Sequence, residues 1–229
     1  MKLINIFHDF INLFYPIRCE LCGSNLQFGE KSFCSLCLSE LPRTNFHLNE
    51  DNEVARIFWG RVEIQMATAW YYFQKGGSVQ KIIHELKYNN RKNIGYDLGY
   101  LIGTALQNSG FNKIDLIIPV PLHKIQYSKR GYNQSETIAL GLSRGLDKPV
   151  DTKTLYRTVD NPTQTNKHRY QRWYNVKGVF ALNNTENIQN KHILLVDDVI
   201  TTGATIEACV TTLMKANNVK VSVIALAKA

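Results

Sequence analysis

Along this chain, short unbroken apolar runs alternate with longer amphipathic stretches. The run Ile193 to Val196, directly after His192, has the length and branching of a strand buried on both faces, and Ile114 to Val120 is a second of the same kind. Val219 to Ala227 reads as a third, lying beside the first. Val62 to Phe73 is rich in aromatics and reads as a strand or hairpin that stops at Lys75-Gly76-Gly77. Helical rhythm fills the intervals. It predicts a helix over Val79 to Tyr88 with Ser78 as N-cap, and one over Gly95 to Gln107 with Leu98, Leu101, Ile102 and Leu106 on its buried face. Two more run from Asn133 through Leu142 and over Glu207 to Ala216. Residues 41–60, carrying Pro42, His47, Asn49, Asp51 and Asn52, have little periodicity and read as a connection. Residues 154–180 open and close with short strands around a long polar stretch. The expected architecture is α/β, a parallel sheet flanked by helices over residues 61–229, preceded by a small module over 1–45 and a connection over 46–60.

Chemistry gathers where the first apolar run ends. Asp197 and Asp198 follow Val196; then come two apolar residues and the series Thr201, Thr202, Gly203, Ala204, Thr205 at the head of a helix. A first helical turn exposes N–H groups without intrahelical partners and carries partial positive charge, so this turn is an anion cradle suited to phosphate. Gly203 lets the backbone approach a bulky anion or take a positive φ, and the threonines add hydroxyl donors. Carboxylates cannot be phosphate ligands. Beside an anion hole they hold what the phosphate is attached to, sugar hydroxyls or a bridging Mg²⁺. A phosphate at one end and a diol at the other describe a ribose 5-phosphate. Helix capping alone would account for one aspartate, but for neither the second nor the threonines. The stretch resembles the phosphoribosyl pyrophosphate (PRPP) motif of type I phosphoribosyltransferases. That resemblance implies that Asp197 and Asp198 bind the ribose hydroxyls and that Thr201, Thr202, Gly203, Ala204 and Thr205 bind the 5-phosphate.

Further candidates lie upstream. Cys19-Glu-Leu-Cys22 and Cys34-Ser-Leu-Cys37 are two Cys-x-x-Cys pairs separated by eleven residues, a spacing that lets the chain return and close a four-sulfur Zn²⁺ site. A segment this small buries little apolar surface, so the metal would supply its folding free energy. Two disulfides or a catalytic thiol pair are the alternatives, and His47 is a further candidate ligand. Cys209, between Ala208 and Val210, reads as a small core residue. Beyond the second strand, Pro121, Leu122 and His123 begin a rigid exit loop that turns basic at Lys124, Lys129 and Arg130; an anion beside the ribose phosphate would find its counter-charge there. In the enzymes with the PRPP motif the corresponding loop holds pyrophosphate, which assigns Pro121 to Arg130 to that role, with Lys87 from the basic run Lys87 to Lys92. The polar stretch after residue 154 carries Arg157, Gln164, Lys167, His168, Arg169 and Arg172, side chains suited to a lid that closes over phosphates; a plain surface insertion is the alternative.

The formal net charge is +8 over 229 residues, which favours acidic partners: phosphorylated metabolites, nucleic acid or a membrane surface. No apolar run approaches the roughly 18 residues of a transmembrane helix. At the start, Ile4, Phe7, Ile11 and Phe14 share one helical face, but His8, Asp9 and Asn12 break it as a signal-peptide core, so a cytoplasmic protein is expected. Taken together, the four-cysteine module, Leu86-Lys87-Tyr88, the segment 120–134, the spacing of Arg157, Thr163, Gln164, Arg172, Asn175, Gly178 and Phe180, and the segment 196–205 resemble the ComF family of phosphoribosyltransferase-like proteins. The resemblance covers nearly the whole chain, although Lys124, Ile125 and Gln126 stand where more arginine is expected. It implies a type I phosphoribosyltransferase-like fold, Mg²⁺-PRPP as ligand, structural Zn²⁺, and a part in natural transformation on the cytoplasmic side, with single-stranded DNA, an uptake helicase or recombination proteins as partners. Tyr88, Tyr127, Tyr132, Tyr170 and Trp173, near basic residues, are the candidates for stacking on DNA bases. An active phosphoribosyltransferase of nucleotide salvage and a zinc-stapled interaction protein are the other two readings.

Overall fold

The computed structural model describes residues 17–89, 91–158 and 178–229. Its strands are β1 (Ala67–Tyr72), β2 (Leu116–Pro119), β3 (Leu155–Arg157), β4 (Phe180–Leu182), β5 (His192–Ile200) and β6 (Lys220–Lys228). Its α-helices are α1 (Ser35–Glu40), α2 (Glu53–Phe58), α3 (Ser78–Tyr88), α4 (Lys92–Leu106), α5 (Lys124–Arg130), α6 (Gln134–Leu146) and α7 (Ala204–Leu213). Four strands form one sheet in the order β1-β6-β5-β2 with every pair parallel, while β3 and β4 make a short antiparallel ribbon.

Side chains alternate across a strand, and here both faces are covered. Leu194 and Val196 of β5 join Ile224 and Leu226 of β6 in a layer with Ile82, Leu86, Leu98, Ile102 and Leu142 from α3, α4 and α6. Ile193, Leu195, Val221 and Val223 face the other way, onto Val54 and Phe58 of α2, Ile206, Cys209 and Leu213 of α7, and Leu155 and Phe180 of the ribbon. Double burial is why the central strands read as unbroken apolar runs. The sheet's edges are also covered. Thr44 N–H donates to the Trp70 carbonyl at 3.1 Å and Tyr72 N–H to that of Pro42 at 2.9 Å along β1, and Val150 bridges Ile117 beyond β2.

Helices α4 and α6 touch backbone to backbone. Gly95, Gly99 and Gly103 recur every fourth residue on α4; a Cβ at Gly99 would stand 2.2 Å from the Ile138 carbonyl oxygen, and one at Gly141 2.1 Å from that of Tyr96. Leu101, expected on the buried face of α4, is 45 % exposed, because the glycine stripe rather than the leucine faces α6.

Other local expectations shift as well. The aromatic stretch from Val62 is a strand only from Ala67, and β1 pairs in parallel with β6 instead of forming a hairpin. Gly77, not Ser78, caps α3. Within the stretch read as a connection, Asn52 caps α2 by accepting from the amides of Val54 and Ala55, and Val54 and Phe58 are fully buried. The basic segment after His123 is not an open loop: residues 124–130 are helical, with the His123 ring accepting from Ile125 N–H at 3.1 Å and Gly131 closing the end at φ 74°. The face formed by Ile4, Phe7, Ile11 and Phe14 lies outside the described residues, as do Gln164, Arg169, Arg172, Tyr170 and Trp173.

Candidate functional site

Strand β5 does not stop before its acidic residues. It continues to Ile200, with Asp197 paired to Ala225 and Val199 to Ala227, so the carboxylates sit on a backbone held rigidly by β6. Ser135, at the buried start of α6, donates its hydroxyl to Asp197 Oδ1 at 3.1 Å, and the Asp198 amide donates to the same oxygen at 2.8 Å. Burial, reinforced by the neighbouring Asp198 charge, pushes Asp197 up to about 7. Lys87, from the end of α3, meets Asp198 with Nζ 2.9 Å from Oδ2. The two carboxylates therefore differ: Asp197 is shielded and holds its proton more tightly, while Asp198 is paired with the Lys87 ammonium.

Three residues beyond β5, Gly203 takes φ 74° and ψ 0° as the N-cap of α7 and offers no side-chain acceptor to the helix. Glu207 N–H makes the helical bond back to the Gly203 carbonyl at 2.9 Å, so the amides of Ala204, Thr205 and Ile206 precede the helix's own hydrogen-bond ladder. Thr201, Thr202, Ala204 and Thr205 are exposed and Gly203 is buried. A Cβ on Gly203 would meet Ile57 Cγ2 at 2.7 Å and Phe58 Cε1 at 2.9 Å, so glycine is required by close packing on α2 as well as by its φ.

The other candidates from the sequence gather unequally. Val120 N–H donates to the Val196 carbonyl at 2.8 Å, which brings the exit Pro121-Leu122-His123 alongside the acidic pair. Arg130 points back into its own junction: Nη1 donates to Gln134 Oε1 at 2.8 Å, and the guanidinium lies 5.7 Å from the Tyr88 ring centre. Tyr132 is buried, its hydroxyl donating to the Leu86 carbonyl, and so is not a stacking surface; Tyr88 and Tyr127 are 67 % and 51 % exposed. Arg157 stands on β3 with its guanidinium 5.6 Å from the Phe180 ring centre. Two residues that sequence reasoning missed belong to this region. Ser135 is one; the other is Arg61, after α2, whose Nη1 donates to the carbonyls of Thr202 at 2.8 Å and Ile57 at 3.0 Å and whose Nη2 pairs with Glu207. Neither carries a motif, since each matters only through a partner distant in sequence.

The four cysteines converge. Their sulfurs all lie within 4.8 Å of one another, and Cys22 Sγ is 3.7 Å from Cys34 Sγ. Tetrahedral thiolate coordination of zinc, with bonds near 2.3 Å, calls for sulfur–sulfur edges of about 3.8 Å, so the set fits such an ion. The turn that achieves this closes through Gly23 N–H to the Cys19 carbonyl at 2.9 Å, with Gly23 at φ 75°; Cys34 N–H points at Cys19 Sγ at 3.4 Å. The Ser24 hydroxyl and amide hold the exposed Cys22 down to about 6, while burial pushes Cys37 up. None of the four forms a disulfide. His47 is elsewhere, stacked on Trp70 at 4.7 Å between ring centres. The module is anchored to the main body by Lys81 Nζ on the Leu21 carbonyl at 2.7 Å and Ser32 Oγ on Asp97 Oδ2 at 2.5 Å, and Cys19, Phe33 and Cys37 share a core layer with Trp70 and Tyr71.

A parallel sheet flanked by helices, with an acidic pair and a glycine turn at one strand–helix junction, is the type I phosphoribosyltransferase arrangement. The profile described as phosphoribosyl transferase domain matches residues 101–229, and the chain belongs to that family. Its curated relatives narrow the class to the ComF type. The DNA utilization protein YhgH of Shigella flexneri is 30 % identical over 83 % of this chain and 88 % of its own length, and Competence protein F of Haemophilus influenzae is 27 % identical over 94 % and 99 %. Among solved structures, the allosteric regulatory enzyme of purine biosynthesis matches with a TM-score of 0.40 at 20 % identity, over 61 % of this chain and 29 % of that one. The purine phosphoribosyltransferase from Pyrococcus horikoshii matches with 0.37 at 18 %, over 59 % and 83 %. No helix among the described residues is long and apolar enough to cross a membrane.

Proposed function

We propose that this chain binds PRPP, the ribose hydroxyls on Asp197 and Asp198 and the 5-phosphate on Thr201 to Thr205, and that it serves the handling of incoming single-stranded DNA on the cytoplasmic side. The observation that carries the first part is the spacing of two unlike groups on one rigid frame. Two carboxylates held by β6 stand a single turn from a helix start whose cap residue has no side chain. Acceptors for a diol and donors for a phosphate are thus presented together. Lys87, which contacts Asp198, takes the diphosphate together with Pro121, Leu122, His123 and Arg130 of the exit after β2, and the polar stretch carrying Arg157, Gln164, Arg169 and Arg172 is assigned the part of a lid. PRPP arrives as its Mg²⁺ complex, the metal neutralising diphosphate charge. Zn²⁺ sits in the four-cysteine cluster as a structural ion.

The part in DNA handling draws on the names of the two relatives, DNA utilization protein YhgH and Competence protein F, and on a net charge of +8 with exposed Tyr88 and Tyr127. Binding and transfer are separable. Transfer would pass through an oxocarbenium-like state at C1 that needs positioning and exclusion of water more than a nucleophile–base pair. Calorimetric titration of Mg²⁺-PRPP into wild type and Asp198→Asn tests the binding site: equal affinity in both refutes it. Pyrophosphate release in the presence of each nucleobase in turn then distinguishes an active transferase from a ligand-binding relative.

A further inference from the structure

Arg61 lies outside residues 101–229, the span matched by the family profile, yet it reaches the phosphate loop. Its guanidinium is a three-way tie. Nη1 donates to the Thr202 carbonyl at 2.8 Å and to the Ile57 carbonyl at 3.0 Å, and Nη2 pairs with the Glu207 carboxylate in the first turn of α7; both side chains of that pair are only 25 % exposed. Two consequences follow from elementary geometry and charge. A trans peptide unit is planar with its C=O and N–H pointing opposite ways, so fastening the Thr202 oxygen to Arg61 sets the Gly203 N–H away from Arg61. Glu207, left to itself, would place a carboxylate one turn from a helix start that must receive an anion; paired with Arg61, its repulsion is cancelled. The packing of Gly203 against Ile57 and Phe58 adds a third constraint from the same segment.

We infer that Arg61 is a positioning residue for the 5-phosphate, acting from behind the loop by orienting the Thr202–Gly203 peptide and by neutralising Glu207. This rests on the sugar-phosphate reading above. The ligand class it governs is the phosphomonoester, not the diol.

Ribose 5-phosphate, titrated calorimetrically into the full chain, is the probe, with thermal midpoints recorded for every variant. Arg61→Met should lower affinity about tenfold, the scale of a charge at a helix terminus. Adding Glu207→Gln to it should recover part of that loss without restoring the thermal midpoint, since the carboxylate is gone but the carbonyl is still untethered. A purely structural arginine would leave the double variant as weak as the single, and that result overturns the inference, as does wild-type affinity in Arg61→Met. Should Arg61→Met not fold, Arg61→Lys replaces it: the charge stays but the planar fork is lost, a smaller drop is expected, and unchanged affinity overturns the inference. A wild-type chain that does not bind ribose 5-phosphate sinks the sugar-phosphate reading itself.

Discussion

Asp197 and Asp198 are neighbours in sequence and opposites in environment. Asp198 is paired to Lys87 at 2.9 Å; on the proposed PRPP site its replacement by Asn would remove a carboxylate acceptor from the ribose diol, and since a hydrogen bond to a charged group contributes about 1.5–3 kcal/mol, Mg²⁺-PRPP affinity in Asp198→Asn should fall at least tenfold by calorimetry. Asp197, raised to about 7 by burial and by Asp198, behaves differently. A folded-state pKa above the unfolded value near 4 means the folded chain holds an extra proton between them. Its stabilising effect is complete below about pH 4 and is lost as pH rises to about 7, so thermal midpoints of wild type relative to Asp197→Asn should decline across that window. Ligand affinity should move the opposite way, strengthening as Asp197 loses its proton and becomes a better acceptor for a diol. An Asp197→Asn chain with the wild-type pH profile would contradict this. The adjacency of the two acids was legible in the residue order; their division of labour was not, because it depends on Ser135 and Lys87, far off in sequence.

At the scale of elements, the contact between α4 and α6 and the cysteine module make separate demands. Gly99→Ala would drive a Cβ to 2.2 Å from the Ile138 carbonyl oxygen, a backbone atom that cannot swing aside, so a loss of about 2 kcal/mol or more is expected by denaturant unfolding. The pattern-based reading put Leu101 on the buried face because apolar periodicity counts side chains, whereas this helix pair packs by omitting them. The module should bind about one Zn²⁺ per chain, and Cys34→Ser should lose it, as elemental analysis after dialysis would record. A metal-free chain of undiminished thermal midpoint would oppose a structural role for zinc. Two Cys-x-x-Cys pairs at fixed spacing announced this cluster, since metal ligation is a property of residue type and local turn. The helical state of residues 124–130 was hidden by the same logic: Lys124 to Arg130 is basic enough to read as a loop, and the His123 cap that starts it is a contact of side-chain geometry.

At the scale of the whole molecule, the net charge of +8 should make any grip on single-stranded DNA electrostatic, with the logarithm of affinity falling linearly against that of salt concentration. Fluorescence anisotropy with an unstructured oligonucleotide would check this, and salt-independent binding would dismiss it. The apolar runs of the central strands, the glycine turn after an acidic pair and the cysteine spacing are local facts, each set by the chemistry of residues within a few positions of one another, and the amino-acid order determined them unaided. The tertiary structure decided which distant groups complete them: Lys87 against Asp198, Ser135 on Asp197, Arg61 behind Thr202, and a helix drawn from the supposed connection to pack on Gly203. Burial and long-range pairing arise only when the sheet closes between its two helical layers, and it is there that Asp197 acquires its raised proton affinity.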